Sequence, residues 1–489
     1  MKKRTIMNNE RNLTMMTDLY QLTMMYGYYK FDMKDNEAVF DLFFRNTREN
    51  SAFAIMAGTE SAVNYINSLH FSEGDIDYLR SLKLFDEGFL SELRAMRFTG
   101  EIYGMPEGTV VFPFEPLLRV RAPIMQAQLV ETALLNLVNH QTLIASKACR
   151  VVYAAQGDAV LEFGLRRAQG PDAGILGARA AMVGGCVATS NVMTGMLYDV
   201  DVKGTHAHSW VMSFKDELAA FRAYADIFPD SCMLLVDTYD TLKSGMPNAI
   251  TVFDELKAKG HMPVGIRLDS GDLAYFSKKA RIMLDEAGHT DAKIFASSDL
   301  DEYVIRDLKA QGAKIDVWGV GTRLITSNDC PALGGVYKMS AEVVDGVMVP
   351  KIKISENIAK MTNPGYKKVL RLYNNANGMA LADVIALVDE EIDERKPLTI
   401  YHPEQSYKSK TLTNFNVREL LVPLFINGKQ VYELPTLDEI CKYEKQELGT
   451  FWEETQRLLN PHLYKVDMSD GLYDLKQRLI MEQKVRYES

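Results

Sequence analysis

The sequence predicts an α/β protein built around a barrel of parallel strands, and three observations carry that expectation. First, between residues 158 and 340 short apolar runs alternate with amphipathic segments: Ala159–Phe163, Val183–Ala188, Val200–Gly204, Met233–Val236, Pro263–Leu268, Lys293–Ala296, Ile315–Val320 and Gly335–Met339. Second, helical periodicity fills the longer gaps, at Lys215–Ile227, Thr251–Lys259, Leu273–Glu286 and Asp301–Gln311. Strands that alternate with helices imply parallel pairing through right-handed crossovers. Third, the number of units, about seven or eight, suits a ring closed on itself better than the competing doubly wound open sheet.

The flanking regions read differently. Residues 1–125 mix helices with short strands, among them Thr109–Phe112 and Leu117–Val120 between Gly and Pro. Gln126–Ala155 is one long apolar-periodic segment, expected to be a buried helix. After the barrel, Gly335–Ser355 has the pattern of a hairpin around Asp345-Gly346, Lys351–Tyr373 is basic and strand-like, and the tail from Leu437 is helical and charged. The expected organisation is an N-terminal part over 1–125, the barrel over 126–345 and a C-terminal part over 346–489. The two outer parts are expected to form one α+β lobe.

Composition narrows the function. At 489 residues the chain exceeds one compact domain of ~100–200 residues. A net charge of −10 argues against nucleic acid as a partner. The five cysteines are scattered with no CxxC pair, which argues against a zinc-thiolate site and a disulfide scaffold and fits a reducing compartment. The opening MKKRTIMNNERNL lacks a signal peptide's apolar run, and no stretch of about 18 apolar residues exists. A cytoplasmic protein with no membrane association is expected. No GxxxxGK[ST] occurs, so any ATP is not held by a P-loop.

In a parallel barrel, reactive groups belong at the C-terminal ends of strands. Those ends supply Arg166 and Arg167; Thr189, Ser190 and Asn191; Thr205, His206 and His208; Asp237 and Asp240; Arg267, Asp269, Ser270 and Asp272; Ser297, Ser298 and Asp299; and Gly319, Gly321, Thr322 and Arg323. Some of these simply cap helices, and Asp299, Asp272 and Ser190 each precede a helical segment. His206 and His208 form a His-x-His pair of the kind that binds metal in some barrel hydrolases. With only eight histidines, and His261 and His289 at the opposite face, further ligands are lacking and no metal site is expected. A structural hydrogen bond is the ordinary use of a histidine. Asp237, on the neighbouring strand end, is placed to orient the ring and raise its basicity, which favours a nucleophile or general base. Arg166, Arg167 and Arg267 offer planar forks for carboxylate or phosphate. Val317–Thr322 has glycines where a late barrel strand would bring backbone N–H groups to an anion.

Taken in order, TDLYQLTM (Thr17–Met24), FGLRRAQGPD (Phe163–Asp172), ATSN (Ala188–Asn191), GTHAHSWV (Gly204–Val211), VDTYDT (Val236–Thr241), IRLDSGDL (Ile266–Leu273), GVGT (Gly319–Thr322), ALGGVYKM (Ala332–Met339) and ISENIAKMTNPGYKKVLRLY (Ile354–Tyr373) resemble nicotinate phosphoribosyltransferase over nearly the whole chain. The resemblance implies an irregular TIM-like α/β barrel of the type II phosphoribosyltransferase kind, with a second lobe built from both chain ends. It implies synthesis of nicotinate mononucleotide and pyrophosphate from nicotinate and phosphoribosyl pyrophosphate, assisted by ATP and Mg²⁺, in a homodimer with shared active sites. By the same resemblance His208 is phosphorylated by ATP and Asp237 is its carboxylate partner. Tyr20 stacks on the pyridine ring from the neighbouring subunit, while Arg267 and Thr205 hold nicotinate with Arg167 beside them. Gly321 and Thr322 receive the 5-phosphate, Asp299 is a candidate for the ribose hydroxyls, and Asp269 is counted among the substrate-binding residues.

Nicotinamide phosphoribosyltransferase is the nearest alternative. It is expected to carry an acid within the segment that reads ATSN here, and Ser190 stands in that place. An acid would repel nicotinate's carboxylate, which Ser190 does not. A non-catalytic metabolite sensor on the same scaffold is the alternative from another class. The role of Arg45, in FFRNTRENSAFAI (Phe43–Ile55), is left open.

Overall fold

The computed structural model describes residues 12–355, 360–403, 405 and 407–488. Part of the N-terminal MKKRTIMNNERNL and residues 356–359, within the ISENIAKMTNPGYKKVLRLY motif, lie outside them. Two compact units emerge: Met1–Leu143 with Ala332–Ser489, and Ile144–Pro331. The boundary falls inside the helix Glu131–Ala155. That helix is preceded by a separate short helix, Ile124–Leu129, so the single long segment expected from Gln126 is two helices.

The second unit is the barrel. Its strands are β1 (Ala159–Glu162), β2 (Ala188–Thr189), β3 (Met233–Leu235), β4 (Gly265–Leu268), β5 (Lys293–Ser298) and β6 (Val317–Val320). They pair in the order β2-β1-β6-β5-β4-β3, every ladder parallel. The first strand therefore lies against the last, as ring closure requires, and no reversal of strand order occurs in mid-sheet as in a doubly wound fold. Val202 extends the ring beyond β2 through an isolated parallel bridge to Thr189. Between that bridge and β3 no ladder forms among the described residues, and this seam makes the barrel irregular.

Three expected barrel strands are corrected. Val200–Gly204 is reduced to the single bridge at Val202. The run Val183–Ala188 is split: Pro171–Val183 is helix, and only Ala188–Thr189 is strand. Gly184-Gly185 ends that helix, with Gly185 at φ +96°. Gly335–Met339 is not a barrel strand at all. It opens Gly335–Val344, which pairs antiparallel with Glu37–Phe44 in the other unit. Five apolar residues carry no label for the sheet they join.

The first unit holds two large sheets and a two-stranded one, Ala54–Ile55 with Val110–Val111. One is seven-stranded and antiparallel, centred on Glu37–Phe44 and Leu118–Pro123. The near-continuous burial of EAVFDLFF shows that Glu37–Phe44 is covered on both faces. The hairpin Gly335–Val344 to Val347–Pro350 turns at Asp345-Gly346, both at positive φ. The other sheet is six-stranded, centred on Lys367–Asn374, Ala380–Leu387 and Val466–Met468. Leu370, Leu372, Val384, Ile400 and Phe415 form its core. The tail folds as helices Leu437–Leu448 and Asp470–Glu488. No helix of the described residues is long and apolar enough to cross a membrane.

Candidate active site

The polar side chains of the barrel gather where its strands end. Arg267, on β4, is the hub. Its Nε donates to Ser297 Oγ at 2.8 Å, one terminal nitrogen donates to Thr205 Oγ1 at 3.0 Å, and the other donates to Asp269 Oδ1 at 2.8 Å. Ser297 Oγ also donates to Asp269. Three strand ends thus meet on one guanidinium, which is 19% exposed and lies 5.9 Å from the Phe163 ring centroid. Burial alone would raise the Asp269 carboxyl, but the Ser297 hydrogen bond and the Arg267 charge hold it below the usual carboxylate range. A fixed, partly open guanidinium of this kind can take a planar carboxylate.

His208 stands at the first turn of the short helix His208–Met212, its side chain 40% exposed. Its Nδ1 meets Thr238 Oγ1 at 3.1 Å, and its Nε2 faces Asp269 Oδ2 at 3.8 Å. The expected partner Asp237 is occupied elsewhere. Its Oδ2 accepts from the Asp269 backbone N–H at 2.9 Å and from Ser270 Oγ at 2.7 Å. Thr238, one residue further on, reaches the ring in its place, and Asp237 braces the β4 loop that carries Asp269. Asp237 Oδ1 is buried and has no partner among the described residues. A turn of π-helix, Thr241–Gly245, leads from this strand end into the helix Met246–Ala258. A Cβ on Gly245 would lie 1.9 Å from the Val236 carbonyl oxygen, so only glycine lets the helix seat this closely beside Asp237 and Thr238.

His206 has the structural role. Its ring is 8% exposed, Nε2 accepts from the Leu235 backbone N–H at 3.3 Å, and Tyr224 packs edge-on at 4.8 Å. That hydrogen bond crosses the barrel seam, so the ring stands in for the missing ladder between the Val202 segment and β3. Burial pushes its pKa down to about 4, so it is neutral near pH 7.

The remaining expected residues divide. Asp272 caps the helix Leu273–Glu286 through Tyr275 N–H. Asn191 rather than Ser190 caps Val192–Tyr198, and Asp301 rather than Asp299 caps Glu302–Ala310. Capping thus leaves the side chains of Ser190 and Asp299 available at the strand ends. Thr205 and Asp269 join the Arg267 group, whereas Arg166 and Arg167 stand exposed on the turn Leu165–Arg167. No hydrogen bond among the described residues ties Arg167 to Arg267. Gly321 and Thr322 begin the short helix Thr322–Ile325 after β6. Gly319 is where a Cβ would strike the Phe163 ring at 2.8 Å, and this close approach brings the β1 and β6 ends together.

In the other unit Tyr20 lies on the helix Leu19–Lys30, its side chain 47% exposed and its hydroxyl donating to Glu131 Oε1 at 3.3 Å. Burial and the Glu131 charge push its phenol up to about 12. Arg45 packs against Phe43, with its guanidinium 5.9 Å from that ring's centroid.

Sequence reasoning missed Thr238, Glu162 and Asp301, and named Arg323 at its strand end without its partner. Thr238 sat inside VDTYDT, where its position beside an acid gave no hint of which residue faces the ring. Buried Glu162, at the end of β1, accepts from Thr189 Oγ1 at 2.6 Å and from Gly164 N–H, and so fixes the β1–β2 ends. Arg323 and Asp301 form an ion pair at 2.5 Å.

An irregular parallel barrel, with an open imidazole, an arginine hub and carboxylates at its strand ends, defines an enzyme of anionic substrates on the type II phosphoribosyltransferase scaffold. Three family profiles cover the chain: the nicotinate phosphoribosyltransferase (NAPRTase) N-terminal domain over residues 15–139, the nicotinate phosphoribosyltransferase (NAPRTase) family over 159–373, and the nicotinate phosphoribosyltransferase C-terminal domain over 366–476. The chain belongs to the nicotinate phosphoribosyltransferase family. It is 49% identical over 477 residues to the nicotinate phosphoribosyltransferase of Bacillus subtilis, covering 98% of this chain and 97% of that one. With the Caenorhabditis elegans nicotinate phosphoribosyltransferase it shares 35% identity, covering 97% and 95%. The crystal structure of human nicotinic acid phosphoribosyltransferase superposes with a TM-score of 0.83 at 31% identity, covering 95% of this chain and 99% of that one. A nicotinate-nucleotide pyrophosphorylase from Pyrococcus furiosus, at TM-score 0.68 and 22% identity, shares the fold.

Proposed function

We infer that this chain joins nicotinate to phosphoribosyl pyrophosphate, giving nicotinate mononucleotide and pyrophosphate for NAD synthesis, with ATP hydrolysis coupled through a phosphate carried on His208. The observation that supports this assignment of residues best is the Arg267 hub directly beside the open His208 ring. A carboxylate fork and a nucleophilic nitrogen then share one pocket.

In this reading Arg267 and Thr205 take the nicotinate carboxylate, with Arg167 near it and Ser190 supplying no opposing charge. Tyr20 stacks on the pyridine ring from the second subunit of a homodimer. Held this way, the ring nitrogen is aimed at the anomeric carbon, and positioning supplies much of the rate for so weak a nucleophile. Gly321 and Thr322 offer backbone N–H groups from a first helical turn to the 5-phosphate. Asp299 takes ribose hydroxyls.

Neutral His208 attacks the γ-phosphorus of ATP through Nε2, the bond to the β-phosphate oxygen breaks and ADP leaves, while Nδ1–H donates to the Thr238 hydroxyl; water later cleaves the N–P bond and releases phosphate. As the C1–O bond to pyrophosphate breaks, the electron pair leaves with pyrophosphate and the nicotinate nitrogen forms the new bond to C1. Asp269, held below the usual carboxylate range, stays ionised beside His208 and Arg267, and Asp237 braces the loop that carries it. A carboxylate oxygen fits Mg²⁺: Asp237 Oδ1, buried and without a partner among the described residues, would be its protein ligand, with substrate phosphates and water completing the shell. When bound, Mg²⁺ would neutralise phosphate charge.

Pyrophosphate release tests the reading. Release is expected with nicotinate, phosphoribosyl pyrophosphate, ATP and Mg²⁺ together, and to fall sharply when nicotinamide replaces nicotinate. No release would favour a non-catalytic binding role, and a preference for the amide would favour nicotinamide phosphoribosyltransferase.

A further inference from the structure

The loops that follow β5 and β6 are tied to each other by an ion pair that has no place yet in the chemistry. The two strands run parallel with Ser298 opposite Val320, so Asp299 and Gly321 leave the sheet side by side. Ser298 has φ +150°, a conformation that residues with a side chain rarely adopt. The chain turns at this residue, whose carbonyl accepts from the Leu300 backbone N–H at 2.9 Å.

Asp301 is 10% exposed, and its Oδ1 accepts from the backbone N–H groups of Tyr303 and Val304 at 3.0 and 2.9 Å. Its Oδ2 accepts from an Arg323 terminal nitrogen at 2.5 Å. The helix capped by Asp301 is pinned at its first turn. Buried Glu302 binds Lys147 at 2.6 Å and Arg150 at 2.9 Å, both on the helix Glu131–Ala155, and Arg150 also donates to Tyr303 Oη at 3.0 Å. The β5 loop is thus a fixed post, and Arg323 fastens the β6 loop to it. The Asp301 hydrogen bond raises the Arg323 pKa, and the charges of Asp301, Asp299 and Glu302 support it, so the guanidinium sits among the acids of the β5 end.

We propose that Arg323, acting through Asp301, is a positioning residue for phosphoribosyl pyrophosphate: it sets the spacing between Asp299 and the backbone of Gly321 and Thr322, and so the grip on the two ends of the ribose 5-phosphate. This deepens the functional reading given above and rests on it. Arg267, which holds nicotinate, reaches β5 only at Ser297, inside the sheet, and neither it, Thr205 nor His208 bonds to Asp301 or Arg323.

The test is a steady-state comparison of Arg323→Ala, Arg323→Lys and Asp301→Asn with the parent protein, varying each substrate in turn. Asparagine keeps the helix cap but removes the charge. Arg323→Ala and Asp301→Asn are both expected to raise KM for phosphoribosyl pyrophosphate about fivefold, the worth of a partly exposed ion pair. KM for nicotinate should change less than twofold, and ATP hydrolysis without the other substrates should persist. Arg323→Lys should lie between the parent and the alanine variant. If Arg323→Ala weakens phosphoribosyl pyrophosphate while Asp301→Asn does not, Arg323 touches the phosphate directly and the positioning role is overturned. Equal loss for both substrates, or no change in either, also overturns it. If Arg323→Ala does not fold, the other two variants carry the same comparison. A parent protein with no nicotinate-dependent turnover would instead refute the functional reading itself.

Discussion

Two arginine forks, one in each unit, use the same chemistry to opposite ends. Arg371 is fully buried and closed: it binds Asp383 through two nitrogens at 2.8 and 2.6 Å, Glu447 at 3.0 Å and the Val110 carbonyl at 2.7 Å. Arg418 adds two further bonds to Glu447, and Tyr464 donates to Asp383. Burial, then Asp383 beside it, push the nearby Glu115 carboxyl well above its usual range, so the cluster carries no needless extra charge. Arg267 makes only three side-chain bonds, two of them to hydroxyls, and remains open to solvent on one side. A closed fork stabilises a fold. An open one, rigidly held, is ready for a ligand's carboxylate.

The sharpest way to break that contrast is to remove each guanidinium in turn. Arg371→Met leaves buried Asp383 without its cation and Glu447 with Arg418 alone, and unfolding in urea should show a loss of about 3–5 kcal/mol. Catalytic constants of the protein that stays folded should be unchanged. An unaltered stability would mean the buried cluster is not structural.

His206 supplies the next largest effect. A ring whose folded pKa of about 4 lies below its unfolded value of about 6.5 contributes stability that is whole above pH 6.5 and declines as pH falls towards 4. The difference is on the order of 3 kcal/mol at full protonation. His206→Gln should flatten that part of the stability–pH curve, as read by thermal melts. An identical curve would remove the ring from the seam.

Arg267→Lys keeps the charge and loses the fork. KM for nicotinate should rise roughly thirtyfold, about 2 kcal/mol, with a much smaller stability change than Arg371→Met. A stability loss without a KM change would make the hub structural, like Arg371. Smaller still is Thr238. Thr238→Val should lower phosphate transfer to His208 about fivefold, near 1 kcal/mol, and Thr238→Ser should restore it. If serine fails to restore it, the hydroxyl is not what orients the ring.

Much of this was readable from the chain, and the failures share one cause. Leu273–Glu286 was expected and occurs with those same bounds, and β1, β4 and β6 lie inside expected runs, because periodicity is a local property. Gly335–Met339 was assigned to the wrong sheet, since an apolar run does not state its partner. Asp237 and Thr238 are adjacent, and which of them meets His208 depends on a register that only the assembled strand ends define. Ser190 and Asp299 were suspected caps. Asn191 and Asp301 do that work instead, a shift of one or two residues that lies within the uncertainty of any helix start. The arginine hub was half visible: Arg267, Thr205 and Asp269 were named, but their convergence with Ser297 on one guanidinium is a fact of tertiary structure.

The most direct test of the central claim is transfer of radiolabelled γ-phosphate from ATP to the protein. Acid-labile, base-stable label is expected on the parent and on His206→Ala, mapping to the peptide that contains His208, and it should be lost in His208→Ala and discharged by nicotinate with phosphoribosyl pyrophosphate. Label retained by His208→Ala, or lost in His206→Ala while that variant remains folded, would contradict it.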